Sequence, residues 1–268
     1  MNNKLKIYLG FIYSSFGISF LYFFCFQKKD ISILEILFFI MVIFLSGNIS
    51  MIVNTGKKLF TYITLPLLMP AMAILGPFWT GVVSFIGVIK LPQLTTSFVW
   101  YKWFFNQSVS FMAAGGGALA FKLCQHYINS QYLICPFLIG ALTYFMINNG
   151  LVIIAISLDK EKEDPSLVVY FIELLKSSLP SFFLGLIFYY SYVHFGKIAF
   201  ILGIILIYII RDFIFSRIQQ LKSFTQLVES FLKVIDSKDH YTEGHCERVA
   251  NYVAVLSRKM GMNKRKID

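Results

Sequence analysis

The stretch MNNKLKIYLGFIYSSFGISFLYFFCF, residues 1–26, combines a basic start with a long apolar run. A membrane-spanning helix needs about 20 mostly apolar residues, and residues 7–26 supply them. A signal peptide also has a basic start, but a cleavage site of small residues follows its apolar region, and none follows here. The stretch therefore predicts a retained first membrane helix.

The composition of the whole chain extends this interpretation beyond the first helix. Of 268 residues, 57% are hydrophobic and only 14% are charged, whereas a soluble domain has about 25% charged residues. The mean hydropathy is +0.69. The net charge of +10 is carried partly by residues that flank apolar runs, where it marks the cytoplasmic side of a membrane protein. We therefore expect the lipid bilayer as a partner and no nucleic acid.

Further apolar runs predict a polytopic, all-α bundle over residues 1–210. Runs of spanning length follow at 31–53, 103–124 and 132–157, and shorter or interrupted ones at 59–89, 167–194 and 197–210. Because proline interrupts helical hydrogen bonding, Pro66, Pro70 and the Gly76–Pro77 pair predict that the run 59–89 forms two short helices joined by a turn. The total is about eight spans, with six to eight possible.

An even number of spans places both termini on one side of the membrane, and the lysines indicate which side. With the termini inside, the inner segments contain Lys4, Lys6, Lys57, Lys58, Lys90, Lys102, Lys160 and Lys162. The outer segments contain Lys28, Lys29, Lys122 and Lys197. Positive charge concentrates on the cytoplasmic side, so we predict that both termini are cytoplasmic.

Polar residues within the spans are interpreted as packing contacts. Neutral amides can form hydrogen bonds between helices, and small residues allow close backbone approach. The residues concerned are Asn48, Asn106, Gln107, Asn148, Asn149 and Gly115–Gly117. The four cysteines are scattered and predict neither a disulfide framework nor a zinc site.

Residues 211–238 form a predicted connector helix with a heptad pattern. The positions of the pattern, apolar except for Thr225, follow steps of four and three, at Ile214, Ile218, Leu221, Thr225, Val228, Leu232 and Ile235. This spacing is typical of a coiled-coil seam and predicts a parallel homodimer. Phe224, Leu227 and Phe231 widen the apolar face, so an amphipathic helix that packs on its own domain is the alternative.

A second amphipathic helix follows the connector. Thr242 is a predicted cap, and the apolar positions Val249, Val253, Leu256 and Met260 recur at helical spacing behind His245. Spacing alone places His245 on the buried stripe as a core histidine, because a metal site would need about three protein ligands.

The sequence DSKDHYTEGHCERVANYVAVLSRKMGM, residues 236–262, resembles the opening of an HD-GYP domain. In that family a Lys-Asp pair ends a helix, Tyr-Thr and Gly-His follow, and Arg-Val begins the next amphipathic helix. The matching residues are Lys238, Asp239, Tyr241, Thr242, Gly244, His245, Arg248 and Val249. The resemblance implies that residues 239–268 are the first part of an all-α HD-type domain.

HD-GYP domains are bacterial, metal-dependent phosphodiesterases that hydrolyse cyclic di-GMP. The resemblance implies that His245 is a metal ligand, for iron or manganese, and that the protein is a sensor in the bacterial inner membrane. The His-Asp dyad and the Gly-Tyr-Pro loop of the family lie beyond the matched region, so no catalytic residue is assigned. We expect these 268 residues alone to be inactive, since one histidine cannot hold the metals.

Two other functions fit parts of the sequence. A transporter or ligand-binding membrane component with a short cytoplasmic tail would explain the apolar region but not the Tyr-Thr and Gly-His pattern. An HD hydrolase of another phosphate compound would explain the tail equally well.

Overall fold

The computed structural model describes residues 3–25, 27, 31–52, 64–90, 99–128, 134–159, 167–238 and 245–260. Over these residues the chain is helical and contains no strand. The helices are α1 (Asn3–Cys25), α2 (Ile33–Ile52), α3 (Thr64–Ile74), α4 (Gly76–Gly87), α5 (Trp100–Ile128), α6 (Ile134–Asp159), α7 (Leu167–Lys238) and α8 (His245–Lys259). The all-α prediction is confirmed for this part of the chain.

Three of the described segments are long and apolar enough to cross a bilayer. They are Asn3–Cys25, Ile134–Leu158 and Ser181–Ile210. Ile33–Asn48 and Thr64–Ile74 are shorter apolar helices. These lengths and compositions are compatible with a membrane protein.

The run 59–89 contains two short helices over its described part, as predicted. The break falls before the Gly76–Pro77 pair, whereas Pro66 and Pro70 lie within α3. Leu75 separates α3 from α4, and Gly76 has a φ of 74°, which a residue with a Cβ rarely adopts. The Thr80 hydroxyl lies 2.7 Å from the Gly76 carbonyl oxygen and 3.0 Å from that of Ala71, so it ties the two helices together at the turn. At 1.5 Å per residue, each helix is about 16–18 Å long.

Helix α5 lies at the centre of the first 200 residues and contacts α1, α3, α4 and α6. One apolar cluster joins α1 to α4 and α5 through side chains that include Ile12, Phe78 and Phe111. The glycines of α5 allow the close approach that the sequence predicts. A Cβ on Gly117 would lie 2.8 Å from the Gly140 carbonyl oxygen of α6, so the two backbones are in direct contact.

Helix α7 is broken at Gly196, which has a φ of 75° and a ψ of −167°. The rings of Phe188 and Phe200 lie on opposite sides of this break, with their centroids 5.0 Å apart. In a straight helix these two residues would be about 18 Å apart along the axis. The chain therefore turns back at Gly196, and Ser181–Ile210 consists of two arms.

The chain divides into two compact units, residues 1–200 and 201–268. Within the second unit, helix α7 runs on through Lys238 and α8 follows from His245.

Candidate functional site

Asn48, Ser84 and Ser110 join neighbouring segments of the bundle through hydrogen bonds. Asn48 donates hydrogen bonds from Nδ2 to the carbonyl oxygens of Phe44 (2.9 Å) and Ile89 (2.8 Å), so it joins α2 to the segment after α4. The Ser84 and Ser110 hydroxyl oxygens are 2.6 Å apart and join α4 to α5. Because unpaired polar groups are costly in an apolar medium, these bonds hold the helices in register.

An aromatic cluster surrounds the turn at Gly196. Phe200, which is fully buried, packs against Phe38 and Phe39 of α2 and against Tyr192 on the other arm of α7. Its ring centroid lies 5.7–5.9 Å from those three rings. The cluster therefore joins both arms of α7 to one turn of α2.

Polar groups at the edge of this cluster reinforce the same contacts. The Tyr192 hydroxyl donates to Glu35 Oε1 at 3.5 Å, and Lys197 Nζ lies 5.5 Å from the centre of the Phe38 ring. A lysine at that distance interacts favourably with the face of an aromatic ring. Residues before and after Gly196 thus contact the first two turns of α2.

The connector part of α7 exposes large apolar side chains over several turns. Leu221 is 68% exposed and Val228 is 42% exposed, both at positions of the predicted seam. A neighbouring stripe is exposed as well, at Phe224, Leu227, Phe231 and Val234. The described residues leave this apolar surface of the connector uncovered.

The residues that carry the HD-GYP resemblance fall partly within the structure. Lys238 is the last residue of α7, and His245 is the first residue of α8. Arg248 is exposed on α8. Asp239, Tyr241, Thr242 and Gly244, including the predicted cap, lie outside the described residues.

The apolar face of α8 matches the predicted stripe. Val249, Val253 and Leu256 are 43%, 55% and 59% exposed. Side chains of this kind at helical spacing normally face the core of a domain. Helix α8 therefore presents an apolar face that the described residues leave open.

A metal site requires several ligand side chains close together. No group of three or more His, Cys, Asp or Glu side chains comes together among the described residues in a way that would hold a metal ion. Sites that hydrolyse phosphodiesters need several such ligands around each ion. The described residues alone therefore do not make up a complete metal site of this kind.

Sequence reasoning missed the aromatic cluster at Gly196. It separated the runs 167–194 and 197–210 without predicting a contact between them or with α2. The available signal was the sequence His194-Phe195-Gly196-Lys197, in which a glycine and two polar residues interrupt a long apolar stretch.

Comparison with known proteins gives no relative for this chain: no family model, curated protein or solved structure matches it.

Proposed function

We propose that this chain is the membrane and connector part of a bacterial signalling protein whose cytoplasmic output is an HD-GYP phosphodiesterase for cyclic di-GMP. The observation that carries the proposal is the order of elements after Gly196. An apolar arm continues into an exposed, heptad-patterned helix that ends at Lys238, and the next helix begins at His245. This order of elements is the one that a connector between a membrane unit and a cytoplasmic domain requires.

The proposed topology has six membrane crossings and one re-entrant pair. The four helices α1, α2, α5 and α6, together with the two arms of α7, supply the six crossings. Helices α3 and α4 are about 16–18 Å long, which is too short for a hydrocarbon core of about 30 Å. As a pair that enters and leaves on one side, they preserve the even number of crossings that the lysine distribution favours.

Contacts within the first 200 residues support alternating helix directions. Tyr8, near the start of α1, donates from its hydroxyl to the carbonyl oxygen of Leu151, in the second half of α6, at 2.8 Å. Glu35, at the start of α2, contacts Tyr192 just before the turn of α7. Such neighbours are expected if α1 starts and α6 ends inside, while α2 starts and α7 turns outside.

The excess of lysines in the inner segments does not depend on the charge of Lys90. Burial lowers the pKa of Lys90, in the segment that follows α4, from its usual value. Leaving Lys90 out reduces the inner lysines from eight to seven, against four outside. The predicted orientation is the same in both cases.

Reporter fusions test this topology and, with it, the proposed function. Alkaline phosphatase, which is active only after export, should be inactive when fused after Asp268 and active when fused after Gln125. A fluorescent protein that matures in the cytoplasm should give the opposite pattern, and a fusion after Lys160 serves as a second inner control. Export of the Asp268 fusion would exclude a cytoplasmic output domain and overturn the proposal.

We further propose that the connector forms a parallel homodimer along the seam that includes Leu221 and Val228. Both side chains are exposed, and burial of a side chain of this size contributes about 1.5–3 kcal/mol. The exposed stripe at Phe224 and Phe231 lies on the adjoining part of the same face. A seam on that stripe is the competing arrangement.

Cysteine crosslinking separates these two arrangements. In a background without native cysteines, we expect Leu221→Cys and Val228→Cys to form disulfides between subunits, because seam residues in parallel pairs come within disulfide range. Ser230→Cys is the matched control, since this exposed serine lies on the opposite face. Crosslinking at Phe224→Cys and Phe231→Cys alone would assign the other seam. Absence of crosslinks at all four positions would refute the dimer.

A further inference from the structure

We infer that Cys124 of α5 and Cys135 of α6 form a disulfide within the chain, which closes this pair of helices at the end of α5 and the start of α6. The oxidant is the disulfide of a thiol oxidase outside the cytoplasm. The location of this end outside the cell rests on the topology given with the proposed function. The contact between the two helices does not depend on that topology.

Helices α5 and α6 pack against each other in antiparallel directions. A Cβ on Gly117 would lie 2.8 Å from the carbonyl oxygen of Gly140, and the ring centroids of Phe121 and Phe137 are 5.0 Å apart. The residue number rises along α5 between these two contacts and falls along α6. The same register therefore predicts which residues lie opposite each other further along the pair.

This register brings the two cysteines to the same level. Cys124 lies three residues after Phe121, and Cys135 lies two residues before Phe137. These steps correspond to about 4.5 Å and about 3 Å along the helix axes. The two positions thus differ in height by only about 1.5 Å.

The thiols themselves are neighbours across the pair. Gly117, Phe121 and Cys124 follow steps of four and three, so they share the face of α5 that contacts α6. Cys124 is 8% exposed, and the Cys135 thiol is close enough to interact with it electrostatically. Both cysteines are free thiols in the structure. The backbone contact between Gly117 and Gly140 favours the short Cα separation, below about 7 Å, that a disulfide requires.

The difference in exposure between the two cysteines gives the order of the exchange reaction. Cys135 is exposed, so its thiolate attacks one sulfur of the oxidant's disulfide, forms a mixed disulfide and releases the other sulfur as a thiolate. The thiolate of Cys124 then attacks the Cys135 sulfur and expels the second thiolate of the oxidant. The two thiol protons of the chain pass to the two thiols of the reduced oxidant. One disulfide is therefore exchanged for another, and atoms and electrons balance.

The proposed topology places this exchange in a suitable compartment. Disulfides form and persist outside the cytoplasm and are rare within it. In that topology α5 ends and α6 begins on the outer side, next to Lys122. Both cysteines are then accessible to an oxidant of that compartment.

Thiol counting in cells tests the inference. Cys25→Ser and Cys246→Ser are introduced into the full chain, so that only the proposed pair remains. Cells are lysed in denaturant with maleimide-polyethylene glycol, which retards the protein on a gel once for each free thiol. We expect no retardation before reduction and a double retardation after reduction. A double retardation before reduction would overturn the disulfide.

Two matched controls carry a further Cys124→Ser or Cys135→Ser substitution. Each then contains one cysteine and should show a single retardation without reduction, because a lone thiol has no partner within the chain. Protection of either lone cysteine would show that burial, rather than a disulfide, blocks the reagent, and would remove the support that the protected pair gives.

Oxidation of the purified chain separates the contact from the topology. The pair-only chain is purified in detergent under reducing conditions and treated with diamide, an oxidant of thiols. We expect both thiols to be lost while the protein still migrates as a monomer without reductant. Disulfide formation here but not in cells would confirm the contact and contradict the outer location that comes from the proposed function. Thiols that stay free in both experiments would refute the contact itself.

Discussion

Gly117→Leu is expected to destabilise the bundle by about 3 kcal/mol, at the upper end of the usual cost of overpacking. The Cβ of a residue at position 117 would lie 2.8 Å from the Gly140 carbonyl oxygen, and a Cβ at Gly140 would lie 2.9 Å from the Gly117 oxygen. Both obstacles are backbone atoms, which cannot rotate away as a side chain can. The leucine therefore has to force α5 and α6 apart.

Thermal unfolding of the purified protein in detergent measures this effect. A loss of about 3 kcal/mol corresponds to a fall in Tm of about 6–12 °C for a chain of this size. Gly150→Leu is the matched control on α6, since a Cβ there meets nothing within 4 Å, and we expect its effect to stay within about 0.5 kcal/mol. Equal melting temperatures for the two variants would show that α5 and α6 are not in backbone contact.

The other large effect concerns His245. In a longer chain that carries the downstream HD-GYP motifs, His245→Ala is expected to lower both the bound metal and the rate of cyclic di-GMP hydrolysis. Loss of a residue that merely supports a metal ligand typically costs about 10–100-fold. Loss of a direct ligand should cost at least about 100-fold in turnover.

The assay compares His245→Ala with His240→Ala, because His240 has no counterpart in the matching motif residues. Metal content is measured by elemental analysis, turnover by chromatography of the cleaved nucleotide, and folding by circular dichroism. His240→Ala should behave as the unaltered chain does. Normal metal content and full turnover in His245→Ala would make His245 an ordinary core histidine and remove the main support for the proposed output domain.

The sequence by itself determined the helical, apolar character of the chain and several element boundaries. Long apolar runs exclude a strand-based fold at these positions, because in an apolar medium only a helix forms hydrogen bonds to all of its backbone groups within one segment. The predicted runs 7–26 and 132–157 correspond to α1 (Asn3–Cys25) and α6 (Ile134–Asp159). Local chemistry also predicts the turn before Gly76–Pro77, since proline and glycine act on their own backbone.

The resemblance of residues 236–262 to an HD-GYP domain also comes from the order of residues. In the family a Lys-Asp pair ends one helix and Arg-Val begins the next, and Arg248 and Val249 lie in the first part of α8 (His245–Lys259). The side-chain chemistry of a metal site depends on ligands from several distant segments, so one motif cannot define it. The metal site that the resemblance implies therefore belongs to the proposed function.

Only the tertiary structure decided how the apolar segments meet. Gly117 and Gly140 are 23 residues apart, and neither the spacing nor the composition of α5 and α6 identifies them as partners. Phe39 and Phe200 lie in different helices with more than 150 residues between them. Within an apolar bundle every face of a helix is hydrophobic, so the sequence lacks the alternation of polar and apolar residues that shows which face of a soluble helix is buried. Neighbouring helices are therefore selected by the fit of their surfaces.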